Sequence, residues 1–87
     1  MTDEIEAAIR MAIQRPDEVV VRIEYVDCYE VRTRRIISPY RMFGAYVIGL
    51  DLGRESVRCF LAKSIMDAEI VSSNDVLMPT EIEVINE

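Results

Sequence analysis

The 87-residue chain carries 16 acidic and 10 basic side chains for a net charge of −6, with 51% apolar residues, two cysteines and no histidine. That length fits one domain with a modest core, the composition excludes wholesale disorder, and the acidic balance argues against indiscriminate binding to nucleic acid or anionic membranes. Lack of histidine removes the usual zinc sets, so neither a metal nor another cofactor is expected.

The charge is unevenly placed. Residues 1–29 carry three basic and seven acidic groups, residues 30–63 seven and three, and residues 64–87 none and six, giving segments of −4, +4 and −6. A basic centre between acidic ends allows a local anion-attracting face despite the low overall charge. The longest apolar runs, such as Ala45–Leu50, are too short for a membrane span. With an acidic N-terminus unlike a signal peptide, a cytoplasmic protein is expected. Cys28 and Cys59 are read as reduced, half-buried small hydrophobes, with a disulfide as the alternative.

In chain order, Ile5, Ala8, Ile9, Ala12 and Ile13 recur at helical spacing, predicting a helix over residues 3–15. Thr2 or Asp3 can cap it, Asp3 and Glu6 have capping-box separation, and Pro16 ends it. Glu18–Asp27 alternates with period two, Val19, Val21, Ile23 and Tyr25 forming one face, and predicts a strand. The polar link Asp27–Glu30 reads as a hairpin turn into a second strand, Val31–Ser38, with Arg32 and Arg34 on one face and Arg35 on the other.

Pro39 lacks a ladder donor and predicts a strand end or edge position, leaving Tyr40–Gly44 as a loop or bent segment. Ala45–Leu52 resumes a strand with Gly49 placed for a bulge, Gly53 opens a turn, and Ser56–Ala62 returns antiparallel. Lys63–Met66 reads as a single turn or bend and Ala68–Ser72 as a fifth strand; Ser72–Asp75 breaks the pattern. Thr80–Ile85 alternates acid with apolar residues, either as a solvated tail or as an extra strand pairing at an edge, including one on a neighbouring subunit. The expectation is a mainly β, α+β domain over residues 1–72: a helix, then five short antiparallel strands over residues 18–72 closing into a small barrel, with an open sheet carrying the helix on one face as the alternative, and 73–87 as an acidic tail.

Reaction chemistry is not legible in the sequence. Asp51 and Glu55 flank a predicted surface turn and read as solvated charges, and the glycines follow no phosphate-loop spacing, so no enzyme is predicted. Nine of the ten basic side chains are arginine, which grips carboxylate and phosphate bidentately, and Tyr25, Tyr29, Tyr40 and Tyr46 offer rings for stacking. These suggest an anion site, with surface ion pairs and core tyrosines as the plainer alternative.

Four segments in order resemble the WYL-domain family of bacterial regulators across about residues 18–71. They are VVVRIEYVD ending at Tyr25 and Asp27, RRIISPYRMF at Arg34–Phe43, AYVIGLDL at Ala45–Leu52 where the family's naming tripeptide falls, and VRCFLAKSI at Val57–Ile65. Ala45 stands in place of the family's Trp, Val47 in place of its Leu, and Ser64 where a second Arg is usual. The resemblance implies an Sm-like barrel acting as a ligand-sensing module for an anionic ligand, in some members single-stranded DNA or a nucleotide-like effector. It implies Tyr46, Arg58 and Lys63 as the ligand face, with Arg34, Arg35 and Tyr25 in support. One predicted helix is too little for a DNA reader, so a separate DNA-binding partner protein is implied. The alternative is a structural or protein-interaction module forming a homo-oligomer through barrel edges and the C-terminal tail.

Overall fold

The computed structural model describes residues 1–76 and 80–85; the remainder of the predicted tail lies outside the described residues. Helix α1 (Asp3–Gln14) starts at Thr2, whose Oγ1 accepts a hydrogen bond from the Ile5 amide at 3.3 Å. Arg15, expected in the last turn, is instead the residue just past it, and its amide donates to Met11 O at 3.0 Å. The periodic residues Ile5, Ile9 and Ala12 are buried, Ala8 and Ile13 are half-buried, and Met11 is exposed. Each fully buried isoleucine contributes about 1.5–3 kcal/mol relative to exposure.

Six antiparallel strands follow: β1 (Val19–Val26), β2 (Arg32–Phe43), β3 (Tyr46–Asp51), β4 (Ser56–Leu61), β5 (Ile65–Ser72) and β6 (Glu83–Val84). Their sheet runs β4-β3-β2-β1-β5, with β6 added to β2. The domain is therefore α+β and mainly β. The sheet is not closed: among the described residues β4 and β5 do not pair and remain its two edges, so the expected complete barrel is not formed. A 3₁₀ turn at Ala62–Ser64 carries the chain from one edge to the other, and a second at Ser73–Asp75 ends β5.

The core face gathers Val21 and Ile23 of β1, Ile37 of β2, Val47 of β3, Phe60 of β4 and Ile65 of β5 beneath Ile5, Ile9 and Ala12 of α1. The β1–β2 turn is organised by Asp27, whose Oδ1 accepts from the amides of Tyr29 (2.8 Å) and Val31 (3.0 Å).

β2 corrects the expectation of a strand end at Pro39 and a loop over Tyr40–Gly44. It continues to Phe43 and turns through Gly44, which has φ +58°, and Ala45 into β3. Pro39 is tolerated because the β1 ladder ends at the Val21–Ile37 pair, so the missing N–H falls on a flank that has lost its partner. Tyr40 is then an extra residue between the pairs Pro39–Gly49 and Arg41–Ile48, a bulge that keeps Pro39 and Met42 on the core face. Gly49 has a steric reason: a Cβ there would lie 2.7 Å from both Pro39 Cα and Ser38 O.

Candidate ligand site

β2 sets the placement of the arginines through its alternation. Thr33, Arg35 and Ile37 are buried on the core face; Arg32, Arg34 and half-buried Ile36 face outward. Arg35 is 7% exposed and Asp51 of β3 is 0% exposed. Arg35 Nη1 donates to Asp51 Oδ2 at 2.8 Å and Nε donates to Thr33 Oγ1 at 2.9 Å, while Asp51 Oδ1 accepts from the Gly53 and Arg54 amides at 3.0 and 3.3 Å. The network fixes the β3–β4 turn from inside, and its two charges are occupied by one another. Arg35 is a structural group rather than a surface one, and Asp51, expected as a solvated turn charge, is its buried counterion.

Tyr25 is also consumed by the fold. Its hydroxyl accepts from the Leu61 amide at 3.0 Å and its ring meets Phe60 edge-on, the centroids 5.3 Å apart. It ties β1 to the end of β4.

The outward arginines of β1 and β2 form a ladder of ion pairs. Arg22 donates to Glu69 at 3.4 Å, Arg34 to Glu83 of β6 at 3.2 Å, and Arg32 to Glu24. Arg22 faces Glu69 across the β1–β5 ladder and Arg34 faces Glu83 across β2–β6, so these two pairs follow directly from register, whereas Arg32 reaches diagonally to Glu24, which lies opposite Arg34. A cleft of about 430 Å³ here is lined by Arg22 and Arg34 with Glu24, Asp67, Glu69 and Glu83. Two cations among four carboxylates repel an anionic ligand.

The second group of cations sits at the other end of the sheet. Arg41 closes β2, Arg54 lies in the β3–β4 turn, Arg58 is on the free edge strand β4, and Lys63 is in the 3₁₀ turn after it. All four are exposed, and none has an ion pair among the described residues. Tyr40, Phe43 and Tyr46, at 48%, 63% and 46% exposure, lie toward the Arg41 and Lys63 end of this group, and Arg54 is at the other end of β4. The Arg41 guanidinium lies 5.4 Å from the centre of the Phe43 ring. Arg54 and Lys63 flank the two ends of β4, which spans about 17 Å at a strand rise of about 3.3 Å per residue, and Arg58 lies between them. That spacing matches an extended polyanion better than a single compact phosphate.

The six residues implied by the resemblance therefore separate. Tyr46, Arg58 and Lys63 share the β3–β4 end, although Tyr46, opposite Leu61, and Arg58, opposite Gly49, project from opposite faces of that hairpin. Arg34 is in the ion-pair ladder, and Arg35 and Tyr25 are internal. Arg58 is separated from the arginines of β2 by β3. Sequence reading missed Arg41, Arg54 and Phe43 as members of this end; the excess of cations over acids within 41–63 is the signal that marks them.

Both cysteines are free and exposed, Cys28 in the β1–β2 turn and Cys59 on β4, correcting the half-buried expectation. Cys59 lies opposite Ile48 on the outer face, away from Phe60. Among the described residues no group of three or more Cys, Asp or Glu side chains is placed to hold a metal ion, and no helix is long and apolar enough to cross a membrane. Comparison of the sequence with protein-family models and with curated proteins gives no match.

Proposed function

We propose that the chain is a WYL-like regulatory module that binds an anionic ligand, single-stranded nucleic acid being the extended form that suits it, at the β3–β4 end of the sheet. The observation carrying this reading is the segregation of cations. Those on β1 and the first half of β2 are neutralised, whereas Arg41, Arg54, Arg58 and Lys63 are not, and Arg41 stands beside the exposed Phe43 ring. Phosphates engage the cations of the β4 edge while bases stack on Phe43 and Tyr46, which share one face of the sheet with Arg41, a combination that tolerates sequence variation. In the same proposal the open sheet is a relative of the Sm-like barrel, and a DNA-binding protein is a partner of the module.

The test is fluorescence anisotropy of labelled single-stranded DNA and RNA at about 50 and about 200 mM salt. Steep loss of affinity with salt, and a slope reduced by about 0.7 on Arg58→Ala, is the expected result. No binding at the lower salt, or unchanged affinity in that variant, overturns it.

A second reading is a homo-oligomer formed through the sheet edges. β4 is accompanied by Arg54, Arg58 and Lys63, and β5 by Asp67, Glu69 and Asp75, so the two unpaired edges carry opposite charge. Head-to-tail pairing of β4 with β5 of another copy would be heterologous and generate a ring or a filament. Sedimentation velocity decides it: a monomer at all concentrations removes this reading.

A further inference from the structure

The position of β6 exposes a feature of β2 that neither reading uses. β2 has β1 on one flank over Arg32–Ile37, but β3 covers its other flank only from Ile37 onward. The last link on that side is the Leu52 amide donating to Ile36 O at 3.0 Å. The backbone groups of Arg32 and Arg34 would otherwise form an open internal edge, the kind of row that recruits an added strand.

This chain's own segment Thr80–Ile85 fills that edge. Val84 and Glu83 pair with Thr33 and Arg34, the Ile85 amide donates to Arg32 O at 2.9 Å, and the Thr80 amide donates to Leu52 O at 3.3 Å. Glu83 also takes the Arg34 guanidinium at 3.2 Å. Gly53 forms the wall: a Cβ there would lie 2.6 Å from Ile82 Cγ1 and 2.9 Å from Thr80 O. Since Gly53 lies outside the left-handed backbone region, the turn itself does not demand glycine. The space it leaves is used by the incoming strand.

The occupant is loosely held. Only two of its residues are in ladder register, the Thr80 hydroxyl is buried without a hydrogen-bond partner, and a cleft of about 250 Å³ bounded by Arg22, Arg34, Ile36, Thr80 and Glu81 remains beside it. An unsatisfied buried hydroxyl penalises the resident strand, and the cleft leaves room for larger side chains.

We infer that the open flank of β2 is a strand-accepting groove for an extended peptide of another protein, with an acidic residue opposite Arg34 and an aliphatic residue over Gly53. The chain's own residues 80–85 are its tethered competitor. Main-chain bonds to β2 supply register, and the Arg34 pair and the Gly53 wall supply selectivity. Tethering gives the resident strand a millimolar-scale effective concentration, so the groove is largely closed until a better-fitting strand displaces it.

The experiment uses the full chain and a fluorescein-labelled peptide, Thr-Glu-Ile-Glu-Val-Ile, as probe. The double variant Ile82→Asp/Glu83→Ala, which weakens the resident strand, should bind the peptide at least tenfold more tightly than the unaltered chain. Adding Gly53→Val should abolish that gain. Adding Arg34→Glu should reverse preference toward a peptide with arginine in the Glu83 position, a swap that general unfolding cannot produce. A release variant that keeps its circular dichroism spectrum yet binds the peptide no better than the unaltered chain overturns the inference. A dimer of the unaltered chain that the release variant converts to monomer also overturns it, because the occupant would then be the strand of a second copy.

Discussion

Two sets of arginines divide this small sheet. On the β5-β1-β2 side Arg22, Arg32, Arg34 and Arg35 each face a carboxylate, and one of these pairs, Arg35–Asp51, is buried. On the β3–β4 side Arg41, Arg54 and Arg58 face none among the described residues. The same residue type serves cohesion in one place and remains available to a ligand in the other; what differs is whether neighbouring strands bring an acid within reach.

The largest effect should come from breaking the buried pair. Asp51→Ala leaves the Arg35 charge without its partner and frees the Gly53 and Arg54 amides, so stability measured by urea unfolding should fall by about 3–5 kcal/mol. Next, Gly49→Ala drives a methyl group against Pro39 and Ser38 backbone at the bulge where β2 passes from one half of the sheet to the other. A loss of about 1–3 kcal/mol in the same measurement is expected.

The smaller effects sharpen the comparison by separating stability from binding. Arg58→Ala should change stability by no more than about 0.5 kcal/mol while weakening single-stranded nucleic-acid binding and its salt dependence. Arg34→Ala removes an exposed pair with Glu83, so about 0–1 kcal/mol is expected, with nucleic-acid affinity and salt slope unchanged. Equal losses of binding in the two variants would erase the distinction between the arginine sets.

Sequence reading located α1, β1, the β1–β2 turn, β3 and β4 closely because their signals are local: helical spacing with a capping threonine, strict alternation, and an aspartate that folds back on its own backbone. It separated Arg35 from Arg32 and Arg34 by parity alone, and the separation holds. It stopped β2 five residues early, at Ser38 before Pro39, since the harmlessness of that proline depends on where β1 ends. The candidate site was legible only as a basic centre between acidic ends. Which arginines in that centre are neutralised depends on Glu24, Glu69 and Glu83, carried by strands distant in sequence from their partners or outside the central segment.

The sequence by itself determined the helix, the alternating strands, the charge asymmetry and the absence of histidine chemistry, because periodicity and composition act within a few residues. The tertiary structure alone decided that Arg35 lies inside with Asp51 and that Tyr25 is a tie to Leu61. It also decided that the sheet stays open at β4 and β5 and that residues 83 and 84 pair with β2. Those outcomes rest on contacts between residues 16 to 51 positions apart, where strand register rather than local preference selects the partner.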